Sequence, residues 1–306
     1  MTLPRRGLGL AATVAVVAAA ALLPWYGSIF AVSMALSLAM WIALAQSWTV
    51  LSGMTGYGSF GHVVFYGIGA YVQVLVWGTV LPWLSVPLAG AASCLFALIV
   101  GYPALKVRGP YFVMLTFGLA EFVKYSVIGI EAKLGQFSRL IIGGPPPEDL
   151  YLVMLGLAAA ATLLTYAVAN SRFGYGLHAI RENELTAETV GVPVTRFKLA
   201  AFALSGLVPG MVGAVMAMRS TYFEPSLAFD PLISFNVVTM ATIGGSADAR
   251  GPVLGALFLV GLSELLWTRA PQVYMIALGV LLVVFVLFAP EGLAKRLFRR
   301  PVTRPA

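Results

Sequence analysis

The residues of this chain that could do chemistry are concentrated in one stretch, Ser171–Pro193, which lies between long apolar runs. Its charged and amide side chains are Arg172, Arg181, Glu182, Asn183, Glu184 and Glu188. Ionised side chains are costly to place in lipid, so this stretch lies outside the hydrocarbon and is free to make ion pairs or hydrogen bonds. No nucleophile stands beside a base here, so contact with another protein is favoured over catalysis.

The same stretch predicts a short surface helix, Leu177–Val190, that stops where Gly191 is followed by Pro193. On a helical wheel three charged residues share one face, namely Arg181, Glu184 and Glu188. The opposite face carries small and apolar residues, namely Ala179, Ile180, Ala187 and Val190. Such a helix could dock into a groove on a partner. An ordinary solvated loop helix is the alternative.

A glycine-rich segment, Ser52–Tyr71, is the second candidate and contains Gly56, Gly58 and His62. Glycine at this density frees the backbone and allows helices to approach closely. One interpretation is an irregular segment that lines a substrate path or a gate; the other is a loop that enters a tightly packed helix. Nothing near His62 supplies metal-ligand spacing, so we expect a satisfied polar residue at a helix entrance and no metal site.

The third candidate is the segment 243–256, where Gly244 and Gly245 end one apolar run and Pro252 suits the first turn of the next. It lacks the Gly-Lys-Ser/Thr of a phosphate loop, which argues against a nucleotide site. We therefore expect Gly244 and Gly245, like the glycines of the second candidate, to contribute backbone to a substrate path.

Ionisable residues inside the apolar runs do not form a proton relay. Glu121 and Lys124 are three residues apart and can pair on one helix, and Glu264 lies near a predicted interface. Cys94 is the single cysteine, so no disulfide can form within the chain. We expect no catalytic residues and no enzymatic activity.

The composition predicts the elements that position these residues. Of the 306 residues, 60% are hydrophobic and 10% are charged, with a mean hydropathy of +0.92. Soluble domains carry about 25% charged residues. Long continuous apolar runs, without the alternation of a barrel strand, predict an all-α polytopic transmembrane bundle. No stretch suggests a separate soluble domain, so residues 1–306 are expected to form one membrane domain.

Ten apolar runs are candidate spans. The eighth and ninth runs are short and could form a re-entrant pair, so the predicted number of spanning helices is eight to ten. The runs are Leu8–Trp25, Ile29–Leu51, Val63–Leu81, Val86–Leu105, Tyr111–Ile130, Leu150–Asn170, Leu199–Met218, Leu232–Ile243, Val253–Trp267 and Val273–Ala289. The amino-terminal run after Arg5 and Arg6 resembles a signal peptide. We interpret it as the first span because a second apolar block follows almost at once.

The distribution of Lys and Arg predicts the orientation. With both termini cytoplasmic, the cytoplasmic side collects fourteen of them: Arg5, Arg6, Lys106, Arg108, Arg172, Arg181, Arg196, Lys198, Arg250, Lys295, Arg296, Arg299, Arg300 and Arg304. The opposite side receives Lys133, Arg139, Arg219 and Arg269. This bias places the segment 171–198 and the basic tail 291–306 in the cytoplasm. The net charge of +7 therefore indicates a membrane surface, not nucleic acid.

Four blocks in this order resemble the LivM-type permease of branched-chain amino acid ABC importers. They are Leu51–His62, Leu105–Phe112, Ser171–Gly191, and Gly244-Gly245 with Gly251–Ala256; the ending Ala289–Leu293 also fits. The third block is the most specific. Val63-Val64 departs from the family pattern, where Ala-rich residues are usual. The resemblance extends from about Leu51 to Leu293.

The resemblance implies an inner-membrane permease subunit that binds no cofactor itself. Its partners would be a second, LivH-like permease, two cytoplasmic ATPases that carry the ATP and magnesium, and a periplasmic substrate-binding protein. The ATPase-coupling residues would be Arg181, Glu182, Asn183, Glu184, Ala187, Glu188 and Gly191. A urea or amide importer of the same superfamily is the near alternative. An ion-coupled secondary transporter is the more distant one.

Overall fold

The structure is a computed structural model that describes residues 17–135, 139–246 and 248–269, together with residues 276, 279, 280 and 283. Three predictions fall at least half outside these residues. They are the first span Leu8–Trp25, the tenth span Val273–Ala289, and the basic tail 291–306.

Helices make up nearly all of the described chain. They are α1 (Ile29–Trp48, continued by a π-helical turn over Thr49–Gly53), α2 (His62–Leu75), α3 (Pro82–Ala104), α4 (Pro110–Lys133), α5 (Pro147–Ala169), α6 (Arg172–Glu182), α7 (Glu184–Thr189), α8 (Val194–Arg219), α9 (Pro231–Gly244) and α10 (Arg250–Arg269). Four-residue helices occupy Leu23–Tyr26 and Pro225–Ala228. Two short strands, β1 (Arg139–Leu140) and β2 (Tyr222–Phe223), pair antiparallel.

Six helical segments in the described residues are long and apolar enough to cross a membrane. They are Ile29–Gly53, Pro82–Ala104, Pro110–Lys133, Pro147–Ala169, Val194–Arg219 and Pro225–Gly244. This confirms the predicted all-α polytopic bundle. The predicted eighth span, Leu232–Ile243, corresponds to α9, which the preceding Pro225–Ala228 helix extends to spanning length.

The predicted third span is wrong at its carboxyl end. The sequence predicted a helix over Val63–Leu81, but α2 ends at Leu75, and a turn containing Gly78 at φ +80° follows. Pro82 then starts α3. The apolar residues of this turn explain the wrong prediction, because hydropathy does not distinguish an apolar turn from a helix.

The connections between the helices gather at two opposite ends of the bundle. At one end Lys198 reaches the carbonyl of Leu105, and the Gln46 side chain donates to the carbonyl of Ala249. At the other end the β1–β2 pair brings residues 139–141 against residues 221–223, and the Trp77 indole donates to the Ile142 carbonyl. Connections predicted to share a side of the membrane therefore share an end of the bundle. Which end faces the cytoplasm stays a prediction.

Helix α8 lies at the centre and is the most buried of the spanning helices, whereas α4 is the least buried. Close approach at α8 depends on glycine. A Cβ built on Gly69 of α2 would lie 1.9 Å from the Gly210 carbonyl oxygen, and one on Gly213 would lie 2.0 Å from that of Tyr66. Such backbone contact between helices is the packing that small residues permit in membranes.

Candidate functional site: an ion-pair cluster beneath two surface helices

Helices α6 and α7 form a surface segment at the end of α5. The Ser171 hydroxyl caps α6 by accepting a hydrogen bond from the Gly174 amide at 3.1 Å. A Cβ on Gly174 would lie 2.1 Å from the Val168 carbonyl, and one on Gly176 would lie 2.4 Å from the Phe197 ring. These two glycines let α6 pack directly on the ends of α5 and α8.

The segment is two helices and not the single helix Leu177–Val190 predicted from the wheel. Asn183 interrupts it with an extended backbone at φ −161°, and its side chain accepts a hydrogen bond from the Thr186 amide at 3.0 Å. Asparagine competes for local backbone groups in this way and so favours helix starts over helix interiors. The predicted stop is confirmed, because Gly191 has φ +87°.

Glu184, the first residue of α7, turns inward and is the centre of a cluster of four side chains. Its Oε1 lies 2.8 Å from Lys198 Nζ and 3.4 Å from an Arg108 guanidinium nitrogen. Its Oε2 accepts a hydrogen bond from the Tyr57 hydroxyl at 2.6 Å. Lys198 also donates to Tyr57 and to the Leu105 carbonyl. The cluster joins α7 to α8, to the loop before α2 and to the loop before α4.

Electrostatics inside the cluster keep Glu184 ionised and Tyr57 protonated. Burial by itself would raise the pKa of Glu184, but hydrogen bonds from Lys198 and Tyr57, with the charges of Lys198 and Arg108, hold it below its ordinary value. Burial, and then the hydrogen bond and the charge of Glu184, raise the pKa of the Tyr57 hydroxyl. Hydrogen bonds to an ionised acceptor are stronger than those between neutral groups. The cluster therefore attaches α7 firmly to α8 and to the two loops.

Arg181 makes a second connection to the bundle. Its guanidinium donates to the Gly53 carbonyl at the end of the π-helical turn of α1, at 2.6 Å. Gly56 has φ +77°, and its Cα faces the Arg181 side chain, to which a Cβ would be 3.2 Å away. The predicted coupling face of Arg181, Glu184 and Glu188 is therefore divided, because the first two bind their own bundle.

The remaining coupling residues, except Ala187, face outward. Glu182, Asn183, Glu188 and Gly191 are exposed, while Ala187 is buried under α7 at 2% exposure. Two apolar side chains join this outer face, with Leu185 63% and Val190 73% exposed. The wheel grouped Val190 with Ile180 and Ala187 on one face, but the structure separates them, because Ile180 and Ala187 are buried while Val190 is exposed. The outer face therefore presents acidic and apolar side chains together.

The glycine-rich segment before α2 is irregular and enters the bundle. The Phe60 amide donates to Thr116, which lies in the second turn of α4, and the Trp48 indole donates to the Ser59 carbonyl at 2.8 Å. Ser234 of α9 bridges the Phe60 carbonyl and the Val63 amide at 2.7 and 3.0 Å. Irregular backbone at membrane depth needs such partners because lipid offers none.

The predicted path residues lie in two different places. Gly58 stands against α4, and His62 is 1% exposed at the start of α2. Among the described residues neither ring nitrogen of His62 meets the distance and angle of a hydrogen bond, although the Ser47 backbone lies close enough to interact with the ring, so a satisfied polar residue at this position stays a prediction. The described residues also contain no group of three His, Cys, Asp or Glu that could hold a metal ion.

Gly244 and Gly245 serve close packing of α9 on α10. A Cβ on Gly244 would lie 1.9 Å from the Gly251 carbonyl oxygen, and Gly245 turns the chain at φ +95°. The turn lies beside α1, where a Cβ on Gly53 would approach the Ser246 carbonyl to 2.5 Å. Their contribution to a substrate path stays a prediction.

Sequence reasoning missed Tyr57, Arg108 and Lys198 as members of the cluster. Lys198 carried a signal, since a lysine just inside an apolar helix needs a partner. Its side chain is only 5% exposed. Tyr57 and Arg108 gave no comparable signal, because their proximity to Glu184 depends on the tertiary fold.

An all-helical bundle with spanning helices, and with surface helices bound to their ends, defines a polytopic membrane protein. The chain belongs to the family described as "Branched-chain amino acid transport system / permease component", whose model matches residues 30–288. It is thus a LivM-type permease, a transport subunit and not an enzyme, in the inner membrane.

Individual relatives agree with this assignment. The high-affinity branched-chain amino acid transport system permease protein LivM of Salmonella typhimurium is 28% identical over 87% of this chain and 69% of its own length. LivM of Escherichia coli is 27% identical over the same shares. The nucleoside ABC transporter permease protein NupC of Lactococcus lactis is 26% identical over 68% of this chain and 69% of its own. No solved structure matches this chain significantly.

Proposed function

We propose that this chain is a permease subunit of an ABC importer that moves branched-chain or related hydrophobic amino acids into the cell. The two LivM relatives support this substrate class by their names. ATP and magnesium belong to two separate ATPase subunits. A LivH-like second permease and a periplasmic substrate-binding protein complete the assembly, and a LivH relative from Methanocaldococcus jannaschii is 22% identical over 74% of this chain.

The observation that carries the proposal is the Glu184 cluster. An importer needs an element that an ATPase can displace and that transmits the displacement to the spanning helices. The outer face of α6 and α7 is free to dock, while Glu184 and Arg181 tie the same two helices to α8 and to α1. Because of these two connections, a displacement of α6 and α7 also displaces the helices of the bundle.

The transport path is proposed to pass the irregular segment before α2. A permease needs to offer substrate only a weak polar route, since tight binding would prevent release. Backbone groups around Gly56 and Gly58, and the buried ring of His62, suit such a route. Rearrangement of this segment is coupled to α7 through Tyr57, which belongs to both the segment and the cluster.

Uptake in proteoliposomes tests whether ATP hydrolysis drives the transport. The chain is reconstituted with its second permease, ATPases and binding protein, and leucine uptake is followed with and without internal ATP. We expect uptake only with ATP, and no uptake when the ATPase lacks its catalytic carboxylate. Uptake that persists without ATP contradicts the proposal and favours the ion-coupled alternative.

Competition tests the substrate class separately. Isoleucine and valine are expected to suppress leucine uptake, whereas urea and a nucleoside such as adenosine are not. The nucleoside is included because of the NupC relative. If ATP-driven uptake is found for urea or adenosine and not for leucine, the importer mechanism stands and the proposed amino acid substrate is wrong.

A further inference from the structure

A pocket of about 240 Å³ opens between the carboxyl end of α3 and the beginning of α8. Its polar walls include Tyr102, Lys106, Arg108, Glu184, Thr195 and Lys198. Helix α3 ends at Ala104 and α8 begins at Val194, so the pocket lies at the level where spans leave the hydrocarbon. The proposed transport function uses Arg108, Glu184 and Lys198 of this pocket to attach α7 to the bundle, but it assigns no ligand to the pocket.

The pocket has an excess of positive charge. It contains three cations and one carboxylate, and Glu184 is already bound by Lys198 at 2.8 Å and approached by Arg108 at 3.4 Å. Lys106 makes no ion pair within the described part of the chain and rests over the Tyr102 ring, 4.9 Å from its centroid. Arg108 keeps 59% of its side chain exposed, so both cations can reach a further anion.

An apolar face of α3 runs from the pocket toward the middle of the membrane. Leu95 is 59% exposed, Ile99 65% and Tyr102 56%. Their spacing places them on one side of the helix, and Tyr102 belongs to both this face and the pocket. A ligand that meets both surfaces has an anionic head beside the helix ends and a long apolar tail.

We propose that this pocket binds the phosphate of an anionic phospholipid, with Lys106 and Arg108 as its direct contacts and the acyl chains along α3. Basic pockets between spans at the membrane surface select anionic headgroups. Thr195 adds a hydroxyl that can donate to a phosphate oxygen. Free phosphate shares the headgroup chemistry but would leave the apolar face of α3 without a role.

Lipid titration on the full-length chain, purified in detergent with the subunits that accompany it, tests the proposal. Phosphatidylglycerol, phosphatidylcholine with the same acyl chains, and inorganic phosphate are each added while the midpoint of thermal unfolding is followed. Phosphatidylglycerol alone should raise the midpoint, because a ligand that binds the folded state stabilises it. Each surface cation contributes about fivefold in affinity for an anionic lipid.

Lys106→Gln should therefore weaken phosphatidylglycerol binding about fivefold, and Lys106→Gln with Arg108→Gln about 25-fold. Lys133→Gln is the matched control, since Lys133 is an exposed lysine at the opposite end of α4, outside the pocket. It should leave the affinity unchanged. An equal shift with phosphatidylcholine or with inorganic phosphate overturns the proposal, and so does undiminished affinity in the double variant.

Discussion

At the residue scale, the Glu184 side chain determines how the surface helices α6 and α7 are attached to the bundle. Its side chain is 15% exposed and faces a lysine that is 5% exposed, so each charge depends on the other for compensation. A buried ion pair of this kind stabilises little compared with an apolar pair, but removal of one partner is costly because the other charge is left unpaired.

Glu184→Gln is therefore expected to lower the free energy of unfolding by about 3 kcal/mol. Replacing both partners, by Glu184→Gln with Lys198→Met, should recover part of that loss, which a double-mutant cycle of thermal or denaturant unfolding measures. Glu188→Gln is the control, because Glu188 is exposed on the same short helix. A loss no larger than that of the control would contradict the role given to Glu184.

The same residue predicts a dependence on pH. Because the folded pKa of Glu184 lies below the ordinary value of 4.5, its stabilisation is complete above that pH and is lost as the pH falls through the folded pKa. The stability difference between the natural chain and Glu184→Gln should thus be constant near neutrality and shrink below about pH 4.5. A difference that stays constant into stronger acid would contradict the ion pair.

At the element scale, the glycine contacts around α8 set how closely α2 can lie against it. The Gly69 and Gly210 backbones touch, and backbone cannot move aside as a flexible side chain can. Local sequence predicted these helices because long apolar runs need no tertiary information. It failed at the end of α2 and at the Asn183 break, which local turns and a local hydrogen bond decide. It also failed at the inward turn of Glu184, whose partner Tyr57 is 127 residues away in sequence.

Gly69→Ala is expected to destabilise the chain by about 1 to 3 kcal/mol through overpacking against Gly210. Gly118→Ala is the matched control, because Gly118 is also inside an apolar helix but has nothing within 4 Å of a built Cβ. Thermal unfolding in detergent should show a loss for the first variant and none for the second. Equal midpoints would mean that the two helices can separate without cost.

At the scale of the whole molecule, the two ends of the bundle differ in what they present. One end carries the paired surface helices with their outward acidic and apolar residues, and the other carries the small β1–β2 pair. Charge counting in the sequence predicted which connections belong together, because loop cations depend on topology and not on packing. It gave no information on which charges within a loop face inward.

The docking role of α6 and α7 is tested most directly by co-purification of the ATPase subunit with charge-reversed variants. The residues to reverse are the exposed Glu182 and Glu188, not Glu184, whose reversal would break the internal cluster. Asp149→Lys, an exposed reversal at the opposite end, is the control.

We expect Glu182→Lys with Glu188→Lys to reduce the recovered ATPase about tenfold, while its unfolding midpoint and the control's ATPase recovery match the natural chain. Full recovery of the ATPase with the double variant would contradict the assignment of this surface as the site through which the permease is driven.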